Sequence, residues 1–395
     1  MRAVVCQHTE LSVQDLPEPT PGPGQVRLEV LRCGVCGSDL HAREGFDAWA
    51  DMADQVGYDR FGRVAQPVVL GHEFCGRVAE YGPRTKATVP EGTPVVALPM
   101  LRNRTPGAID LTGLSRHAPG AYAEQLLVER SLMLPVPNGL DPEVATLTEP
   151  MAVARHAVLR GEVGRRQTAV VVGCGPVGLG VILTLKSRGV RTVVASDPSA
   201  GRRALAERCG ADVVVDPTTD SPWAAGSDRH LRSIPDTLEL AVSSLEKMQR
   251  LPVGWWHLWR SADRAGLADP PHPVVFECVG VPGMLQDLMA GAPMFSRIVV
   301  VGVCVGEDRI TPAMGINKEI DLRFVFGYTP LEFRDTLHAL ADGDVDPRPL
   351  ITGTVGLDGV GAAFEALGTD PTHAKVLIDP ASAADRLDQP VPSEA

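Results

Sequence analysis

Ala169-Val170-Val171-Val172-Gly173-Cys174-Gly175-Pro176-Val177-Gly178-Leu179-Gly180 is an apolar run that ends in glycines spaced G-x-G-x-x-G. A short apolar run without alternation suits a strand covered on both faces, as in a parallel sheet. The residues from Pro176 through Lys186 read as a helix, so the glycines fall between strand and helix, where this spacing carries meaning. Gly173 allows a tight turn, Gly175 lets the backbone approach a pyrophosphate, and Gly178 lets the helix lie close to the sheet. Pro176 and Val177, at the helix start, belong to the same binding loop. The next strand, Thr192-Val193-Val194-Ala195-Ser196, ends in Asp197, spaced to hold the ribose hydroxyls of a dinucleotide, with Arg202 and Arg203 close behind.

Downstream, strands at Ala211–Asp216 and Val274–Gly280 continue the pattern, but residues 217–273 separate them, far more than a usual crossover. Within that stretch Leu238, Val242, Leu245, Met248 and Leu251 share one helical face, ended by Pro252. Trp255, Trp256 and Trp259 follow, and with Trp223 the stretch holds four of the chain's 5 tryptophans. It reads as an ordered helical insertion, expected to bury its tryptophans on the cofactor domain or on a neighbouring subunit. A further buried strand runs from Ile298 to Val303, and the strand Leu322–Phe326 closes the cofactor domain. An amphipathic helix from Thr329 through Leu340 then returns the chain to the other domain, and the tail beyond Pro380 is expected to fray.

Upstream, residues 1 to 33 alternate short β-type runs with Pro/Gly punctuation, which suits an antiparallel β-barrel. The net charge of −12 argues against nucleic acid or an anionic membrane as partner, since both require a basic patch. No signal-peptide pattern or membrane-length apolar run appears, so a cytoplasmic location is expected. The 8 cysteines are scattered and read as free thiols. Cys33 and Cys36 form a lone C-x-x-C without a second pair, and Cys33 reads as a buried apolar thiol.

Gly34-Val35-Cys36-Gly37-Ser38-Asp39-Leu40-His41 crowds a thiol, a hydroxyl, a carboxylate and an imidazole onto one turn. Pro67-Val68-Val69-Leu70-Gly71-His72-Glu73 adds an imidazole and a carboxylate at the lip of a strand, and Glu149 opens Glu149-Pro150-Met151-Ala152-Val153. With the glycine loop, these motifs resemble the zinc-dependent medium-chain alcohol, polyol and threonine dehydrogenase family over nearly the whole chain outside the insertion. The resemblance implies an α/β fold, with a Rossmann doubly wound parallel sheet and a GroES-like antiparallel barrel. The catalytic zinc domain would comprise residues 1–153 and 329–395, and the NAD-binding domain residues 154–328.

The same resemblance implies that Cys36, His72 and Glu149 hold one catalytic zinc, with Glu73 beside it as a possible exchanging ligand. Asp39 would orient His72, and Ser38 would take the alcohol proton and pass it by way of the nicotinamide ribose to His41. Val153 would lie against the nicotinamide, and Val279, Val301 and Val303 would border it. The lobe at residues 97–120, where many relatives hold a structural zinc with four cysteines, has no cysteine here, so that second zinc is expected to be absent. The partners implied are NAD and a small alcohol with its aldehyde or ketone, in a homodimer or homotetramer.

The stretch after His41 reads as a long connection with little strand character, and its loop Arg43–Gln66 carries Phe46, Trp49, Met52, Tyr58 and Phe61, candidate walls for an apolar primary or secondary alcohol. Glu149 itself points instead to polyol- or threonine-type substrates. A zinc-free reductase of the same fold would lack the Cys36, His72, Glu149 set, and a redox-inactive binding protein would have lost Ser38 or the glycines.

Overall fold

The computed structural model describes residues 1–103, 108–225, 230–266, 268 and 270–388. They form two compact units, Met1–His156 with Gly327–Ala395, and Ala157–Phe326.

In Ala157–Phe326 six parallel strands lie in the order Val213–Val215, Thr192–Ser196, Thr168–Val172, Val274–Glu277, Arg297–Val300, Asp321–Phe324. The first and fourth strands of this unit are neighbours, so the order reverses at the end of Thr168–Val172, the switch point where such sheets bind ligands. The continuous apolar runs follow from coverage on both faces: Val170, Val194, Val275 and Ile298 are all buried. This is the doubly wound sheet that the glycine pattern predicts.

Residues 217–273 contain the helices Ile234–Gln249 and Trp255–Arg264. Ser233 starts the first through a reciprocal cap, its hydroxyl accepting from Asp236 N and the Asp236 carboxylate accepting from Ser233 N. Of the tryptophans expected to be buried on this unit or on a neighbouring subunit, Trp223 meets the first alternative within the chain. Trp223 joins the core of this unit and closes on Gly291, where a Cβ would meet its Nε1 at 2.7 Å. Trp255, Trp256 and Trp259 remain 38, 49 and 42 % exposed in the single chain. Trp255 packs edge-on against Trp256 rather than onto the sheet. Neither helix has a buried residue.

The other unit is built on a seven-stranded sheet centred on Gln25–Gly34, which pairs with Glu73–Tyr81, Gln125–Glu129 and Lys375–Ile378. Its pairs are antiparallel except Ile351–Val355 with Lys375–Ile378. Alternation places Val26, Leu28 and Val30 inward, where they share a core with Val78, Tyr122, Leu126, Phe364 and Val376. The β-rich N-terminal half follows the sequence reading.

Two expectations for this unit are corrected. The segment after Cys36 is a 19-residue helix, Gly37–Gln55, with non-helical geometry at Gly45. Its buried positions Asp39, Ala42, Phe46, Ala50 and Ala53 recur at spacings of three and four, the helical period. Phe46 is 2 % exposed in the sheet core, while Phe61 makes edge contacts with Trp49 and Tyr58 that fasten the segment to itself. The tail does not fray at Pro380: Thr354 and Asp388 exchange backbone hydrogen bonds at 3.1 and 3.0 Å, and Gly356 N donates to Ala384 O. Residues 389–395, and 104–107 of the cysteine-free lobe, lie outside the described residues. Beside the latter, buried Asp110 accepts from Arg60 Nε at 2.7 Å, Arg60 Nη2 at 3.0 Å, Asn103 Nδ2 at 2.8 Å and Ser115 Oγ at 3.0 Å.

Phe46→Ala should therefore lower stability by about 3–5 kcal/mol, the range for truncating a buried phenylalanine, read by chemical denaturation. A loss below about 1 kcal/mol, the level of most exposed sites, would return Phe46 to the substrate walls.

Candidate functional site

Cys36 precedes the first turn of the helix Gly37–Gln55, directly after the strand Gln25–Gly34. That strand pairs with Glu73–Tyr81 in a register that sets Gly34 opposite Glu73, so the two signature motifs meet across one strand pair. Cys36 Sγ, a ring nitrogen of His72 and a carboxylate oxygen of Glu73 lie within 4.8 Å of one another. Thiolate, imidazole and carboxylate together are a zinc-type donor set.

Asp39 organises this group. Its carboxylate, fully buried, accepts from Cys36 N at 3.0 Å and from the Tyr122 hydroxyl at 2.7 Å. Its Oδ1 lies 3.4 Å from His72 Nδ1, and neither of these two atoms has a well-aligned hydrogen bond. With Nδ1–H turned to Asp39, Nε2 is the nitrogen left for a metal, and Ser38 Oγ lies 3.2 Å from it. Burial alone would push the His72 pKa down, but the Asp39 carboxylate and the Cys36 sulfur outweigh it and hold the imidazole well above its ordinary value. Burial also works against an ionised Asp39, yet His72, Tyr122 and Cys36 N keep its pKa below the usual carboxylate value. A basic imidazole, a paired carboxylate and an adjacent thiol fit a zinc ion.

Glu149 opens the helix Thr148–Gly161 and is not part of the compact trio. Its carboxyl is pushed up to about 7, by burial first and then by Glu73, against the opposing influence of His72, a hydrogen bond with Tyr328, and Lys375. Glu73 is fully buried, and both its oxygens accept from Lys375 Nζ, at 2.7 and 2.8 Å. His41 is exposed on the helix that Cys36 precedes, and Val153 is half-buried on the helix of Glu149.

Sequence reasoning missed Tyr122, Tyr328 and Lys375 as parts of the site. Lys375 left a signal: it begins Lys375–Ile378, a strand buried at every position, where an unpaired charge is prohibitive.

In the other unit, the glycines have distinct steric roles. Gly173 has φ +91°, which favours glycine, and a Cβ on Gly178 would lie 1.9 Å from Gly173 O. Gly175 faces open space ahead of the helix Pro176–Ser187, on which Val177 is the second residue. Asp197 is 2 % exposed, with its carboxylate accepting from Cys174 N and Ser199 N, both at 2.9 Å. Arg202 Nη1 stands 3.9 Å from it, whereas Arg203 is committed to Asp216 and to the carbonyls of Asp197 and Pro198. Val279, Val301 and Val303 flank the close approach of Gly280 to Gly302, beyond the strands Val274–Glu277 and Arg297–Val300.

Residues 22–138 match the alcohol dehydrogenase GroES-like domain. L-threonine 3-dehydrogenase of Rhizobium rhizogenes is 26% identical over 390 residues, 96% of this chain and 98% of that protein. (R,R)-butanediol dehydrogenase of Bacillus subtilis is 28% identical over 380 residues, 94% of this chain and 97% of that protein. The crystal structure of 2R,3R-butanediol dehydrogenase from Bacillus subtilis superposes with a TM-score of 0.72 at 26% identity, covering 96% of this chain and 99% of that one. The domain match and the near full-length similarity to these dehydrogenases agree with the antiparallel sheet of the one unit and the doubly wound parallel sheet of the other. Among the described residues no helix is long and apolar enough to cross a membrane.

Cys36→Ser should abolish zinc binding with the fold retained by circular dichroism. Asp39→Asn, which keeps the shape and removes the charge facing His72, should weaken zinc binding about 10–100-fold, as loss of a ligand-orienting partner does. Unchanged affinity in a chelator competition would remove Asp39 from this role.

Proposed function

We propose that this chain catalyses the reversible, zinc-dependent, NAD-linked oxidation of a primary or secondary alcohol to an aldehyde or ketone. The observation that carries the reading is the thiolate, imidazole and carboxylate gathered within 4.8 Å, with the histidine backed by a buried aspartate. When bound, zinc would supply Lewis acidity toward an alcohol oxygen, and the nicotinamide would take the hydride. Cys36, His72 and Glu149 would hold one zinc per chain, with Glu73 alongside. Ser38, whose Oγ lies 3.2 Å from His72 Nε2, would accept the alcohol proton, and exposed His41 would release it to water. Asp39 keeps His72 oriented throughout. Gly173, Gly175, Pro176, Val177 and Gly178 would carry the pyrophosphate, and Val279, Val301 and Val303 of the same unit would meet the nicotinamide end.

NAD is favoured over NADP because Asp197 would accept from ribose hydroxyls and repel a 2′-phosphate. Arg203, bound to Asp216, is not available to offset that repulsion, which leaves Arg202 alone. Asp197→Ser should shift the preference toward NADP in steady-state kinetics. Equal or better efficiency of the unaltered chain with NADP would show that Arg202 prevails.

Two substrate readings have support. Trp49, Met52, Tyr58 and Phe61 lie in the segment between Cys36 and His72 and favour an apolar alcohol, although Phe46 is withdrawn into the core. Glu149 and the threonine and butanediol dehydrogenases among the relatives favour a vicinal diol or a 2-amino alcohol. NADH formation against a panel of both kinds decides. The apolar reading fails if catalytic efficiency with sorbitol, xylitol, threonine or butanediol exceeds that with medium-chain or aromatic alcohols. The function itself fails if zinc-loaded protein oxidises none of them.

A cytoplasmic location is supported by cysteines that are all free. A homodimer or homotetramer is supported by large apolar side chains left exposed in the single chain, among them Trp256, Ile316 and Phe326.

A further inference from the structure

Two carboxylates flank Cys36 and His72, and proximity alone would select Glu73, since it is the one within 4.8 Å of both. Its charge partner argues otherwise. Glu73 and Lys375 are 0 and 1 % exposed. Lys375 Nζ donates to both Glu73 oxygens, at 2.7 and 2.8 Å, and to the Val35 carbonyl oxygen at 2.9 Å. An ammonium has three N–H donors, and here each has an acceptor. The third anchors the residue directly before Cys36, so one cation fixes both the thiol's turn and the carboxylate. Gly34 makes the arrangement possible, because a Cβ there would lie 2.2 Å from Glu73 Oε2.

For Glu73 to bind a metal it would have to give up charge-assisted hydrogen bonds in a dry interior, and Lys375 would be left as a buried cation beside another cation. Glu149 faces no such cost. Glu149 is half-buried and its hydrogen-bond partner is the neutral Tyr328 hydroxyl, so binding a metal separates it from no cation that it is hydrogen-bonded to. The charge count agrees: zinc with the Cys36 thiolate and the Glu149 carboxylate sums to zero, and Glu73 with Lys375 sums to zero separately.

We propose that Lys375 is a positioning residue that selects the metal's carboxylate ligand, withholding Glu73 and leaving Glu149 to complete the site with Cys36 and His72. The proposal rests on the zinc reading above.

The test is substitution of Co2+ into the full chain, read by its thiolate-to-cobalt charge-transfer band, its d–d spectrum and its affinity. The unaltered chain and Glu73→Gln should share one d–d spectrum, while Glu149→Gln should change it and weaken binding on the order of 10-fold or more. Lys375→Met should change the spectrum as Glu73 enters, and adding Glu73→Gln to it should restore the original. Lys375→Arg should leave the spectrum as in the unaltered chain. An altered spectrum in Glu73→Gln with an unaltered one in Glu149→Gln would overturn the assignment, as would Lys375→Met without spectral change. If Lys375→Met does not fold, the comparison of Glu73→Gln with Glu149→Gln still decides which carboxylate binds. Absence of the charge-transfer band in the unaltered chain would instead overturn the zinc reading, and the proposal with it.

Discussion

Ionised groups survive inside a sheet only when every one of them is paired, and that constraint shapes the unit that carries the metal ligands. Asp39, Glu73, His72 and Lys375 are 0, 0, 8 and 1 % exposed. Asp39 is held at one oxygen by Cys36 N and the Tyr122 hydroxyl and faces the imidazole with the other at 3.4 Å, and Glu73 is paired with Lys375. Such pairs add little net stability, because desolvation offsets the attraction, yet removing one partner of a buried pair costs about 3–5 kcal/mol. Their value is positional. Glu73 and Lys375 are 302 residues apart in sequence, and their contact binds the early strands to the last one described.

Missing side chains are used in two different ways. At Gly178 the absent Cβ lets a helix lie on the Gly173 carbonyl, which brings helix and sheet together where a pyrophosphate is expected. At Gly34 it clears the volume that a carboxylate fills one strand away. The first glycine belongs to a pattern with a known mechanical reason and is recognisable in one dimension. The second is invisible until the register of Gln25–Gly34 on Glu73–Tyr81 is known.

Amphipathic segments leave their partner unspecified in the sequence. After Cys36 the aromatics obscure alanines at helical spacing, and in the structure Ala42 and Phe46 of that helix join the core of the sheet. The insertion is helical, as its periodicity predicts, but a periodic apolar face states only that something must cover it. Trp223 packs on the sheet's core, whereas among the described residues Leu238, Val242, Trp255, Trp256 and Trp259 on the two helices stay exposed in the single chain.

What the sequence by itself determined is the local chemistry: the strand, glycine loop and helix around Gly173, the acid at Asp197, the turn that carries Cys36, Ser38 and Asp39, and the neighbouring His72 and Glu73. These depend on short-range geometry, where spacing and residue type suffice. What only the tertiary structure decided is who partners whom. Tyr122 on Asp39, Tyr328 beside Glu149 and Lys375 on Glu73 are contacts between distant strands and helices. A buried charge in a sequence announces that it needs a partner; which residue fulfils the need is set by strand register and packing.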